Sequence, residues 1–209
     1  MIAYNSLLLV AALSVTLFSC SREISVAPDR NPDGNPDSRI YGSYDYISMS
    51  AATKNTSSGV VNGSEHTTVS VSNYTTTDNA GVLTIAPGIV TFSGFSYSID
   101  AEVLKYSYTN GIADGNKVEI PWKFSLPASS SEAPARLIGA DSIYFEKGIT
   151  VLATTSGIES QASGAKYTLE GDILILTGKM AKTTTLEQGD ITTIKSELVY
   201  VIKYKKRKR

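Results

Sequence analysis

Residues 117–126 read KVEIPWKFSL, and the run alternates without a break. Val118, Ile120, Trp122, Phe124 and Leu126 fall on one side; Lys117, Glu119, Pro121, Lys123 and Ser125 fall on the other. Successive side chains of a strand point to opposite faces, whereas a helix would scatter these five apolar residues around its circumference. The period of two predicts a half-buried strand whose apolar face holds Ile120, Trp122 and Phe124. Trp122, the sole tryptophan, is expected to be buried there. Proline donates no ladder hydrogen bond, so Pro121 predicts a sheet edge or a bulge.

The same period recurs on both sides of this stretch. It predicts strands at residues 67–74, 82–86, 89–99, 103–109, 142–146, 149–155, 166–170, 173–177 and 194–204, with a first strand opening at Gly42. Within 89–99 the apolar phase shifts from Val90 and Phe92 to Phe95, Tyr97 and Ile99 across Gly94, which predicts a bulge. The ILIL run at 173–176 is apolar on both faces and is expected to be the most buried strand. Asn110-Gly111, Asp114-Gly115, Gly171-Asp172 and Gln188-Gly189-Asp190 supply turn chemistry. No long window has helical periodicity, although residues 130–139 have room for one short helical turn. The expectation is an all-β, antiparallel domain of about ten strands, either a closed barrel or a β-sandwich.

Composition narrows the function classes. The 209 residues are 42% hydrophobic and 19% charged, a balance suited to a folded core. Net charge is −1, but the last seven residues, KYKKRKR, hold six of the nineteen basic groups. The rest has thirteen basic against twenty acidic residues, a net of −7, which gives no general attraction for nucleic acid. One cysteine permits no intrachain disulfide, and one histidine, His66, leaves no metal site or histidine-dependent triad in view. No nucleophile elbow, phosphate loop, zinc-protease helix or dinucleotide fingerprint occurs, so no catalytic residue, cofactor or metal is expected and the chain reads as a non-enzyme.

The amino terminus carries the lone cysteine. Residues 6–18, SLLLVAALSVTLF, are thirteen uncharged positions, too few to cross a ~30 Å hydrocarbon core as helix but suited to a signal h-region. Leu17, Phe18, Ser19 and Cys20 follow, with charge at once afterwards in Arg22 and Glu23. This pattern resembles the signal of bacterial envelope lipoproteins of the Bacteroidota type. The resemblance implies cleavage between Ser19 and Cys20 and acylation of Cys20, because a thiolate is a good nucleophile toward a lipid donor. Several acyl chains together make attachment stable, giving a membrane-anchored protein of the outer membrane, on its periplasmic or its surface face. Residues 21–39, with three prolines and seven mixed charges, read as an extended tether. The domain organisation is then a signal peptide at 1–19, an anchored linker at 20–39, a β-domain at 40–204 and a basic tail at 205–209.

Gly42-Ser43-Tyr44 after the tether, and YTLEGDILILTG before a last strand ELVYVIKY, are similar to the opening and the closing meander of lipocalin-like domains. That resemblance implies a barrel with a small apolar ligand inside, lined by Trp122, Ile120 and Phe124. The alternative is a pocketless sandwich that binds glycan or protein. The Tyr44/Tyr46 and Tyr106/Tyr108 pairs serve either a core or a sugar-stacking surface, since residues two apart share a strand face. Asp141-Ser142-Ile143 is similar to the O-glycosylation acceptor of Bacteroidota proteins, which makes Ser142 a candidate modification site.

Overall fold

The structure, a computed structural model, describes residues 38–115, 117–146, 162–188 and 190–208. The signal and cleavage positions through Cys20, most of the tether and the strand expected at 149–155 lie outside the described residues. After a 3-10 turn at Ser38–Ile40, ten strands follow: β1 Gly42–Val61, β2 Ser64–Thr75, β3 Thr77–Ala86, β4 Ile89–Thr109, β5 Ile112–Ala113, β6 Val118–Ile138, β7 Ser142–Phe145, β8 Ser163–Glu170, β9 Ile173–Gln188 and β10 Asp190–Lys206.

Every pairing is antiparallel, and β10 pairs with β1, which closes the sheet. The domain is therefore a barrel and not a sandwich. β2 and β3 lie end to end between β1 and β4: β1 pairs with β3 at Gly42–Asp45 and with β2 from Ser50 onward. Irregular backbone divides them, with positive φ at Asp78 and Gly81 and register shifts near Ala80. At Gly81 a side chain would strike the Phe95 backbone, its Cβ falling 2.7 Å from Phe95 Cα. The ring thus has eight positions in meander order, with β5 a two-residue arm on the end of β4.

Asn-Gly turns join the strands at the upper end: Asn62-Gly63 and Asn110-Gly111 both have positive φ at both residues, the twist that suits a tight hairpin. Pro87-Gly88, Gly139 and Gly171 turn the chain at the opposite, lower end. The shift predicted at Gly94 is present, with φ +59° and a register irregularity between Phe92 and Phe95 that sends both rings inward. Among the described residues Pro121 lies on a sheet edge, one of the two placements expected of it. It pairs with Glu102 of β4 on one side, and β6 meets β7 only from Ala135 onward.

The lower end is filled with side chains. Tyr46 sits 4.3 Å from Phe95 by ring centroids, 5.8 Å from Tyr204 and 6.5 Å from Tyr97; Phe92 meets Phe95 edge-on at 5.7 Å. Eight-strand barrels have an interior just wide enough for side chains, and here aromatic rings occupy it. Ile40 plugs the lower opening, wholly buried, and its carbonyl accepts the Tyr44 hydroxyl at 2.7 Å. A crevice of about 10 Å³ remains nearby, lined by Ile85, Val90 and Ile143 among others, room for about one water.

Several expectations are corrected. Residues 89–109 form one strand rather than two, and β6 continues through Pro127 and Pro134 to Ile138 where a helical turn was expected. β1 and β9 continue through Ser/Thr-rich segments that carry no apolar alternation. β10 runs to Lys206, two residues into the basic tail, because Tyr44 and Asp45 of β1 pair with Lys206 and Lys205. In the ILIL run, Leu174 and Leu176 are wholly buried, but Ile173 and Ile175 face outward and are half-buried.

Candidate ligand-binding trough

Among the described residues, the ring is continuous at its lower end. β7 and β8 are short, and they join β6 to β9 through residues 135–138, 142–145, 163–170 and 173–177. Above that level the described strands form a trough in the order β6, β4, β2, β1, β10, β9, with residues 147–161, between β7 and β8, outside the described residues. The concave face of this trough continues the inner face of the barrel.

Antiparallel registers resolve that face into levels. The lowest places Phe124 beside Ile99, and Met49 beside Ile202 and Leu176. The next places Trp122 beside Ala101, and Ala51 between Tyr74 and Tyr200, with Tyr200 beside Gly178. Gly178 is small because the Tyr200 ring lies on it; any Cβ there would strike the phenol. Above these, Ile120 pairs with Val103, and Leu198 with Thr53 and Met180. The level above runs Val118, Lys105, Ser70, Asn55, Ser196, Lys182 across all six strands. Apolar side chains therefore give way to polar ones toward the mouth, while β6 stays apolar along its length.

The structure places Ile120, Trp122 and Phe124 together on this concave wall, between Leu126 below and Val118 above. Phe124 is 6.3 Å from Tyr97, and Trp122 meets Tyr74 edge-on at 5.2 Å, reaching across β4 where Ala101 leaves space. Burial pushes the Tyr74 phenol pKa up to about 12. Exposure grows upward: Phe124 and Trp122 are half-buried, Ile120 is 43% exposed and Val118 54%. The expected full burial of Trp122 is thus corrected. At its height nothing among the described residues pairs with the outer edge of β6, and the half-buried indole packs against the core.

The remaining sequence candidates lie elsewhere. Ser142 is buried in β7, and its hydroxyl donates to Asp141 Oδ1 at 2.8 Å, so this candidate acceptor is neither exposed nor unengaged. That hydrogen bond, and then Lys166, hold the Asp141 carboxyl below its ordinary range. His66 is exposed near the mouth, Nδ1 3.4 Å from Thr109 Oγ1. Tyr44 and Tyr46 are core, whereas Tyr106 and Tyr108 are half-exposed on the outer face, opposite Val69 and Thr67. Lys105 and Lys182 escaped the sequence reading. The signal lay in the parity running from Ile99 through Ala101 and Val103, which carries Lys105 inward and the two tyrosines outward.

No family model matches the chain, and no curated protein matches it. Among solved structures, that of Ail, the attachment invasion locus protein of Yersinia pestis, is similar over 79% of this chain and 99% of that chain, at 6% identity and a TM-score of 0.21. A likeness of that size carries no argument about this chain.

Proposed function

We propose that the protein is a cell-envelope lipoprotein, anchored to the outer membrane through acylated Cys20, whose non-enzymatic lipocalin-like barrel takes a small apolar ligand in the trough at its upper end. The observation that carries the ligand reading is the stripe from Leu126 to Val118, which leaves the core and becomes exposed on a concave face. Isolated exposed apolar residues are ordinary, but a contiguous concave stripe with polar groups around it has the make-up of a ligand site. The aromatic filling of the lower barrel moves that site from the barrel centre to the mouth. The anchor reading is supported by the signal pattern of residues 6–23.

One preparation tests both halves. Expressed in a bacterium with a fatty-acid probe, the chain is expected to take label in the membrane fraction and to lose it with Cys20→Ala. Fatty alcohols, fatty acids and sterols at micromolar concentration are expected to shift Trp122 emission, and Ile120→Asp is expected to abolish the shift. Label that survives the cysteine substitution overturns the anchor, and emission unchanged across the panel overturns the trough. In the second case the pocketless reading takes its place, with Val69, Val71, Leu104, Tyr106 and Tyr108 on the outer face of β2 and β4 as the surface for glycan or protein.

A further inference from the structure

Two hairpins of the barrel share one kind of turn. Asn62-Gly63 joins β1 to β2, and Asn110-Gly111 joins β4 to β5. The φ angles are +51° and +80° in the first and +50° and +78° in the second. A β-branched residue precedes each asparagine, Val61 in one and Thr109 in the other, and all four turn residues are exposed. Beyond its chain neighbours, neither glycine has an atom within 4 Å of the place a Cβ would take. What separates the turns is the asparagine side chain. Asn110 Oδ1 accepts the Glu65 amide at 2.9 Å, and the Asn110 amide donates to Glu65 O at 2.8 Å, so this turn is fastened to β2. The Asn62 side chain has no hydrogen-bond partner among the described residues. Its tip also overhangs: the ladder from β1 to β10 ends at Gly59, and that from β2 to β4 at His66.

From this contrast we infer that Asn62 is a site of spontaneous covalent modification, ending as aspartate and isoaspartate, and that the Glu65 amide spares Asn110. The Gly63 nitrogen attacks the carbonyl carbon of the Asn62 side chain and forms a C–N bond. The carboxamide nitrogen leaves as ammonia, taking up the proton of the Gly63 amide. Water then opens the resulting succinimide at either carbonyl, with no oxidant or reductant involved. Glycine suits the attack because no Cβ shields its nitrogen. Ring closure needs the side chain to swing along its own backbone to the next nitrogen. Asn62 is free to do so, whereas Asn110 must first give up its bond to Glu65. That N–H also polarises the Asn110 carbonyl, but the same swing removes the polarisation. Either product adds a carboxylate to a tip that already carries Glu65. Isoaspartate also lengthens the main chain of a two-residue turn, and turn length sets hairpin register. None of this depends on the trough.

The test incubates the full chain warm at mildly alkaline pH and follows the acid fraction at each asparagine by peptide mass spectrometry. Enzymatic methylation identifies the isoaspartate. Asn62 is expected to convert about fivefold faster than Asn110, the factor set by one net hydrogen bond of ~1 kcal/mol. In urea at unfolding concentration both turns are lost, and the two rates are expected to converge because the flanking residues are alike. Equal rates in the folded chain overturn the inference, as does an Asn110 that converts first. A gap that survives unfolding overturns it too, since the cause would then lie in the local sequence and not in the turn.

Discussion

Two buried tyrosines differ in what their hydroxyls find. Tyr46 shares a hydrogen bond of 2.9 Å with Thr76 Oγ1, which also accepts the Met49 amide at 2.9 Å. That threonine therefore ties β1 to the irregular segment between β2 and β3. The Tyr204 hydroxyl, wholly buried, finds no hydrogen-bond partner among the described residues. Its ring is what the core uses, 5.8 Å from Tyr46 and 6.3 Å from Phe95. Removing one partner of a buried hydrogen bond costs about 1 kcal/mol, while deleting an unsatisfied hydroxyl relieves a desolvation penalty of similar size. Tyr46→Phe is expected to lower the urea midpoint accordingly, and Tyr204→Phe to leave it unchanged or raise it. Equal losses in the two variants would mean that a further polar group reaches the Tyr204 hydroxyl.

At the scale of elements, the last strand makes the sharpest test. Beyond Tyr204, Lys206 donates its amide to Asp172 O at 2.7 Å and Arg207 its amide to Ser43 O at 2.9 Å; Arg207 Nε meets Asp45 at 2.7 Å. Lys206 also reaches Arg39 O and lies 5.5 Å from the Tyr44 ring centroid, covering the plug around Ile40. Truncation after Tyr204 is expected to cost about 1–3 kcal/mol through lost ladder bonds and exposed core, and truncation after Arg207 less than about 0.5 kcal/mol. Equal midpoints for the two truncated chains would show that the strand contributes nothing past Tyr204. The sequence hides this end because consecutive lysines carry no alternation to read. The same reason hides the Ser/Thr-rich upper half of β1 and the far half of β9: period two is legible only where one face is buried, and there neither face is. KVEIPWKFSL was legible because its strand runs from core to mouth with an apolar residue at every inward step. Lys105 was obscured by Leu104, Tyr106 and Tyr108, whose outward apolar face competes with the true inward one. Gly94 and Pro121 were readable because backbone chemistry, not burial, fixes their roles.

At the scale of the whole molecule, the buried aromatic packing is concentrated at the lower end, away from the polar upper end where a ligand is proposed. The upper strands are held by ladders and by exposed pairs such as Lys123–Asp100 at 2.9 Å, worth little each. The ring below them is held by buried phenols. Burial raises Tyr46 and Tyr74 from 10.0 to about 12, and pushes Tyr97, Tyr200 and Tyr204 higher still. A phenol whose folded pKa is raised contributes stability that is complete below its unfolded value and is lost as pH rises through the folded value, because above 10 the unfolded chain binds fewer protons. A two-unit shift corresponds to on the order of 3 kcal/mol, a sizeable part of the stability of an ordinary domain. Between pH 10 and 12 the barrel is therefore expected to unfold cooperatively, with tyrosinate absorbance and loss of far-UV strand signal rising together. Tyr46, Tyr97 and Tyr204 sit in the closed end and Tyr74 and Tyr200 at the Trp122 level; an apolar ligand in the trough, by binding the folded state, shifts this transition to higher pH, and the shift grows with ligand concentration. Full tyrosinate formation with the strand signal intact would show that the aromatic end opens to hydroxide without unfolding and does not hold the ring closed.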